Sequence, residues 1–225
     1  MRLGLSMRVV ETEGYFEQRD TISHDWFELF QEWGHVPFLL PNKIKNLTSY
    51  IVDLSLDGLI LTGGNSLMPK FPRHPEWNIS DAAMLRDETE RQLLYFAVER
   101  KMPVCGVCRG LQMINCYFGG ELIKLDPNIH AAKTHQVKFK GSAWEKILGN
   151  KAAINSYHNY GISTDSLSKN LDPFAFDENG LIEAAAHQSL PILGIMWHPE
   201  REQPEPLPNN ILFSRLLNEG TFWRL

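Results

Sequence analysis

The chain of 225 residues is 43% hydrophobic and 22% charged, a balance that buries a core and excludes intrinsic disorder. Its formal net charge of −5 argues against a nonspecific nucleic-acid binder or a ligand of anionic membranes. No apolar run reaches the ~20 residues of a membrane span, and the first residues lack the apolar stretch of a secretory signal. Three cysteines, Cys105, Cys108 and Cys116, are too few and too clustered for a disulfide framework. The expectation is a cytoplasmic protein folding as one domain over residues 1–225.

Short apolar runs alternate with amphipathic segments, the pattern of an α/β sheet with helices on both faces. Residues 3–7 read as a buried strand. After a polar stretch, residues 22–33 place Trp26, Phe27, Leu29, Phe30 and Trp33 at helical spacing, and Gly34 ends the helix. Residues 36–41 predict a second strand, and residues 56–64 (LDGLILTGG) a third that runs into a glycine pair. Residues 65–80 hold three prolines and no periodicity, which predicts an ordered loop over one end of the sheet. Ser80 or Asp81 is positioned to cap a long helix through Lys101, with Leu93, Leu94, Ala97 and Val98 on its buried face.

Pro103 restarts the chain as a strand, followed by a sharp turn and a helix over 109–118 that Gly119 and Gly120 stop. Then the pattern changes to short strands: QVKFK, AAIN, PFAFD and LIEAAAH, the last two joined across a hairpin signal at Glu178-Asn179-Gly180. A strand over 191–197 and a helix over 209–219, with Gly220 past its end, close the chain. The resulting expectation is a mostly parallel central sheet with some antiparallel strands in the second half.

The most informative segment is PVCGVCRGLQ (103–112). Gly106-x-Cys108-x-Gly110 between a strand and a helix is the nucleophile-elbow arrangement with Cys in place of Ser. A residue driven into so tight a turn has strained backbone angles, and side chains two positions either side would collide. The turn lifts the sulfur above the carboxyl edge of the sheet at a helix N-terminus, where the macrodipole favours thiolate. The amide of Arg109 then points where a tetrahedral oxyanion would develop. Two plainer readings compete: a redox pair of Cys105 and Cys108, or a turn that serves packing alone.

A nucleophile needs a base. Residues 195–200 (IMWHPE) end an apolar strand in His198, with Glu200 two residues on. A His at the carboxyl end of a sheet strand shares the edge of the elbow, can take the thiol proton and can return it to a leaving nitrogen. Glu200 can bond the far ring nitrogen and fix the tautomer. Alone, a His-x-Glu reads first as a structural histidine beside a solvated charge; paired with the elbow, His198 and Glu200 complete a Cys-His-Glu set. The spacing of His130, His135, His158, His187 and His198 matches no zinc-ligand pattern. No dinucleotide fingerprint or Walker loop is present, so no cofactor is expected.

With these local sequences the chain resembles the class I glutamine amidotransferase-like superfamily, with its flavodoxin-like sheet, and within it the stand-alone γ-glutamyl hydrolases. The resemblance is carried by LDGLILTGGN (56–65), Arg86-Asp87, GVCRGLQMIN (106–115), INSYHNYGI (154–162), IEA (182–184) and GIMWHPE (194–200), and covers nearly the whole chain. It implies hydrolysis of a γ-glutamyl amide through a thioester, releasing glutamate, with Cys108, His198 and Glu200 as the triad. It also implies a second oxyanion donor in the amide of Gly64, contact of Gln112 with the glutamyl group, and Ser156, Tyr157 and His158 at its α-amino and α-carboxylate ends.

Residues 17–26 and 197–202 resemble the hydrolases in this family whose substrate is nucleotide-linked, a γ-glutamyl-CDP-amidate used in decorating a surface glycan with phosphoramidate. A bidentate arginine suits a pyrophosphate, which makes Arg8, Arg19 and Arg201 candidates for the non-glutamyl half. Arg86 and Asp87 read as a structural ion pair. The alternatives are a γ-glutamyl-γ-aminobutyrate hydrolase and a glutaminase subunit feeding a partner synthase.

Overall fold

The computed structural model describes residues 1–225 except 71, 72, 75, 78, 127–130 and 225; part of the predicted proline-rich loop and His130 therefore lie outside the described residues. Strand β1 (Arg2–Ser6) leads into β2 (Arg8–Glu11) and β3 (Gln18–Thr21). Helix α1 (Asp25–Glu32), β4 (Val36–Leu40), α2 (Leu47–Leu54) and β5 (Gly58–Leu61) follow. The long α3 (Met84–Arg100) precedes β6 (Val104–Val107), α4 (Arg109–Tyr117) and the short β7 (Ile123–Lys124). The second half runs β8 (Ala131–Phe139), α5 (Ser142–Leu148), β9 (Lys151–Tyr157), β10 (Tyr160–Gly161), β11 (Leu171–Asp177), β12 (Ile182–His187), β13 (Ile192–Ile195) and α6 (Asn209–Glu219).

Nine strands form one sheet in the order β4-β1-β5-β6-β13-β12-β11-β8-β9. Pairs from β4 to β13 are parallel, and those from β13 to β9 are antiparallel. This is the expected class, with the antiparallel strands in the second half. Strands β5, β6 and β13 are buried along their whole length, as parallel strands covered on both faces must be. One face packs Leu3 and Leu5 against Trp26 and Phe30 of α1 and Leu212 and Phe213 of α6. The other packs Leu59 and Leu61 against α2, α3 and α4 through Ile51, Leu93 and Leu111. Helices thus cover both faces.

Several elements depart from expectation. The polar stretch after β1 is a hairpin, because β2 and β3 pair antiparallel in full register. Helix α2, with Thr, Tyr, Ile and Val against helix propensity, is started by Asn46, whose side chain accepts from Ser49 N at 3.1 Å. Helix α3 begins at Met84, not at Ser80 or Asp81, and its cap Ala83 offers no side-chain bond. Asp81 is instead held back by its carbonyl, which accepts from Ser66 N at 3.4 Å and Asn65 Nδ2 at 3.3 Å.

Candidate active site

Cys108 joins β6 to α4 with φ 53° and ψ −104°, a left-handed conformation costly for any residue with a Cβ. Its amide donates to Ile195 O at 2.7 Å, which ties the turn to the end of β13. Both flanking glycines are sterically required. A Cβ on Gly106 would lie 2.5 Å from the carbonyl carbon of Gly110, and one on Gly110 would lie 2.1 Å from Leu61 O. All three cysteines are free, and burial pushes the Cys105 and Cys116 thiols far above the usual range.

His198 stands just past β13. Val107 is paired with Ile195, so the two parallel strands deliver Cys108 and His198 to neighbouring points on the same edge. Nδ1 of His198 lies 2.7 Å from Glu200 Oε1. Burial pulls the imidazole pKa down, but the charge of Cys108 and a bond to it, with Glu200, outweigh burial and raise it to about 9. The backbone of His198 is clamped by Asn155, whose Oδ1 accepts from His198 N at 2.8 Å and whose Nδ2 donates to His198 O at 3.0 Å. Tyr157 meets the imidazole edge-on at 5.5 Å, and the Arg201 guanidinium lies 4.2 Å over the Tyr157 ring.

On the same edge, the chain leaves β5 through Thr62 into Gly63 and Gly64. A Cβ on Gly63 would sit 2.5 Å from His198 Cε1, and Gly64, at φ 83°, would place one 2.1 Å from Arg8 Nη2. From behind, the buried Arg86 donates to the carbonyls of Thr62, Gly63 and Gly64 at 2.5, 3.0 and 2.6 Å. Within a planar trans peptide the N–H points opposite to the C=O, so holding Gly63 O toward Arg86 turns the Gly64 amide away from it. Arg86 also pairs with Glu90 at 2.9 Å, and the Arg109 guanidinium bonds Glu90 and Asp87. Arg86 and Asp87 are therefore not each other's ion pair, as the sequence suggests: on one helix, residues one position apart face different ways. Burial raises the Asp87 carboxyl to about 6 against the pull of Arg109.

Cys108, Gln112, Tyr157, His158 and Arg8 line a recess of about 160 Å³. Gln112 Nε2 donates to Tyr160 O at 2.9 Å, and His158 Nδ1 lies 3.1 Å from the same carbonyl. Behind them the buried Glu183 carboxylate sits 3.7 Å from His158 Nε2 and 3.5 Å from His135 Nε2. Trp77 stacks on Tyr160 at 5.1 Å, against the wall of the site. Arg201 lies with Arg8, His198 and Glu200 in a small side recess.

The structure thus gathers Cys108, His198, Glu200, Gly64, Gln112, Tyr157, His158, Arg8 and Arg201, with Arg109 contributing its backbone. Ser156 is fully buried and does not line the recess. Arg19 stands apart on the hairpin, held by Glu17 and by Tyr15 Oη at 2.8 Å. Asn155 and Arg86 were not read from the sequence as site residues; the INSYH and Arg-Asp motifs were the available signals. Among the described residues no group of three or more His, Cys, Asp or Glu could hold a metal ion, and no helix is long and apolar enough to cross a membrane.

In architecture the chain shares the fold of solved glutamine amidotransferase-type structures. The crystal structure of a glutamine amidotransferase from Thermotoga maritima matches with a TM-score of 0.60 at 14% identity, covering 88% of this chain and 76% of that one. More narrowly, the chain belongs to the Peptidase C26 family, whose model matches residues 4–200. The γ-glutamyl-CDP-amidate hydrolase of Campylobacter jejuni is 32% identical over 211 residues, 90% of this chain and 91% of the relative. The γ-glutamyl-γ-aminobutyrate hydrolase of Escherichia coli O157:H7 is 27% identical over 215 residues, 86% of this chain and 84% of the relative. The family is that of γ-glutamyl hydrolases and glutamine amidotransferase-like proteins, and these relatives support a hydrolase.

Proposed function

We propose that the protein is a cysteine-dependent hydrolase of γ-glutamyl amide bonds, with Cys108, His198 and Glu200 as its triad in a single domain. The observation that supports this most is a sulfur at a strained elbow beside an imidazole whose far nitrogen is bonded to a buried carboxylate. The Cys108 thiolate attacks the γ-carbonyl, and the amides of Gly64 and Arg109 hold the oxyanion. The His198 imidazolium gives its proton to the leaving nitrogen as the C–N bond breaks, leaving a thioester. Water then attacks the thioester, His198 takes its proton, and glutamate departs as the thiol is restored. Glu200 keeps the ring in the tautomer that faces the sulfur and stabilises its charged form.

For the amine side, our reading is γ-glutamyl-CDP-amidate, releasing cytidine diphosphoramidate. It is supported by the Campylobacter relative and by Arg8, whose guanidinium lies at the recess rim against Gly64. A γ-glutamyl-γ-aminobutyrate substrate is the second reading, supported by the Escherichia relative. Glutamate release from both compounds and from free glutamine separates these from a glutaminase subunit. Cys108→Ala is expected to remove turnover while circular dichroism stays native; surviving turnover refutes the nucleophile.

A further inference from the structure

We propose that Glu183 is a positioning residue for the glutamyl end of the substrate. It holds His158 as an imidazolium, and the charge of that ring draws the substrate α-carboxylate into the recess at Cys108, a role that rests on the γ-glutamyl amidohydrolase reading above.

Glu183 lies in β12, a strand buried along its whole length, and the hydrolytic steps make no use of its carboxylate. A charge so placed is costly unless positive groups meet it. Two rings do. His135 Nε2 and His158 Nε2 approach the same oxygen, Glu183 Oε1, at 3.5 and 3.7 Å, with the rings nearly perpendicular and their centroids 6.5 Å apart. The two are not equivalent. The His135 side chain is 16% exposed and the His158 side chain 2%, so water reaches the first, while the protein alone sets the environment of the second.

The protonation of His158 follows from what its nitrogens face. Nδ1 lies 3.1 Å from Tyr160 O; a carbonyl oxygen only accepts, so that nitrogen carries a proton. A neutral ring would then turn the Nε2 lone pair toward a carboxylate, whereas a second proton converts this repulsion into attraction. Tyr160 O also accepts from Gln112 Nε2 at 2.9 Å, which fixes ring and amide side by side on one carbonyl. His158, Gln112 and Cys108 line the recess and Glu183 does not, so the pair presents its positive end to the substrate. The other charged side chains of the lining residues are Arg8, Asp81 and Arg109. Arg109 is committed to Asp87 and Glu90, Asp81 has the wrong sign, and Arg8 lies against Gly64. Beside Gln112, the cation that meets an α-carboxylate is His158.

The test uses the full chain. Ring ¹⁵N NMR, with His158 assigned through His158→Gln, should show both His158 nitrogens protonated at pH 7 in the parent chain and only one in Glu183→Gln. In Glu183→Gln, KM for γ-glutamyl-p-nitroanilide should rise about tenfold with kcat little changed, the loss of one charge-assisted contact. Glu183→Asp, which keeps the charge, should recover part of that loss. The inhibition constant of 4-aminobutyryl-p-nitroanilide, a competitor without the α-carboxylate, should not move in either variant. A neutral His158 in the parent chain overturns the proposal without recourse to any variant. So does an equal effect of Glu183→Gln on the two anilides, or a lowered melting temperature with KM unmoved. In each of these cases Cys108-dependent release of glutamate from the γ-glutamyl anilide still upholds the amidohydrolase reading. Glutamate release that survives in Cys108→Ala overturns that reading and the proposal with it.

Discussion

His198 is poised to stay charged where an ordinary histidine is neutral. Its folded pKa of about 9 lies above the ~6.5 of an unfolded chain. The raised value adds stability that is fully present below pH ~6.5 and is lost as pH climbs through about 9. In the proposed mechanism the same proton serves the leaving nitrogen, so the rate profile should carry an alkaline limb near pH 9. Because the Cys108 charge is the largest of the raising influences, Cys108→Ala should move the imidazole titration downward, readable by NMR. Arg86 makes a second case. Arg86→Lys keeps the charge beside Glu90 but loses the fork that holds the Thr62, Gly63 and Gly64 carbonyls. If that fork orients the Gly64 amide, kcat should fall by about 10²-fold with KM little changed, in line with loss of an oxyanion donor. A purely structural role would lower the melting temperature without that split.

At the scale of elements, the site is a junction of β5, β6, β13 and α4 so close-packed that one methyl group is too many. Gly110→Ala drives a Cβ to 2.1 Å from Leu61 O, and a backbone oxygen in a central strand cannot step aside. Overpacking of this kind costs about 2 kcal/mol or more, lowering the melting temperature by roughly 4–8 °C for a chain of this size. Hydrolysis should be lost with it; calorimetry and an activity assay read both. The elbow was legible in the sequence because its physics is local: two glycines and one cysteine within five positions dictate the turn wherever the strand lies. His198 and Glu200 were legible for the same reason, at the end of an apolar run. Asn155 and Arg86 act through contacts with residues 43 and 24 positions away, and nothing near them in the chain announces those partners. The β2–β3 hairpin was missed because its strands are mostly exposed and lack the alternation that a half-buried strand shows.

For the whole molecule, the sheet has two regimes: parallel strands buried on both faces and an antiparallel extension beyond β13. The alternation of runs and amphipathic segments in the first half made the parallel regime readable. In the second half, α5 has only seven residues, too short for a periodic pattern to stand out. The packing also partitions the three thiols. Cys105 is sealed in the core and both Cys105 and Cys116 are held protonated by burial. Iodoacetamide at neutral pH should therefore modify Cys108 alone in the folded chain and all three cysteines in guanidinium, as peptide mass mapping would show. The order of the strands has a further result. All of the antiparallel extension is inserted between the strand that ends in Cys108 and the strand that ends in His198. On the ribosome, where synthesis advances at ~5–20 residues per second, the sulfur emerges several seconds before its base has been translated. Through that interval the nascent polypeptide carries the cysteine without the imidazole that faces it in the folded chain, and on the proposed mechanism it cannot be acylated efficiently until the last parallel strand has slotted into place.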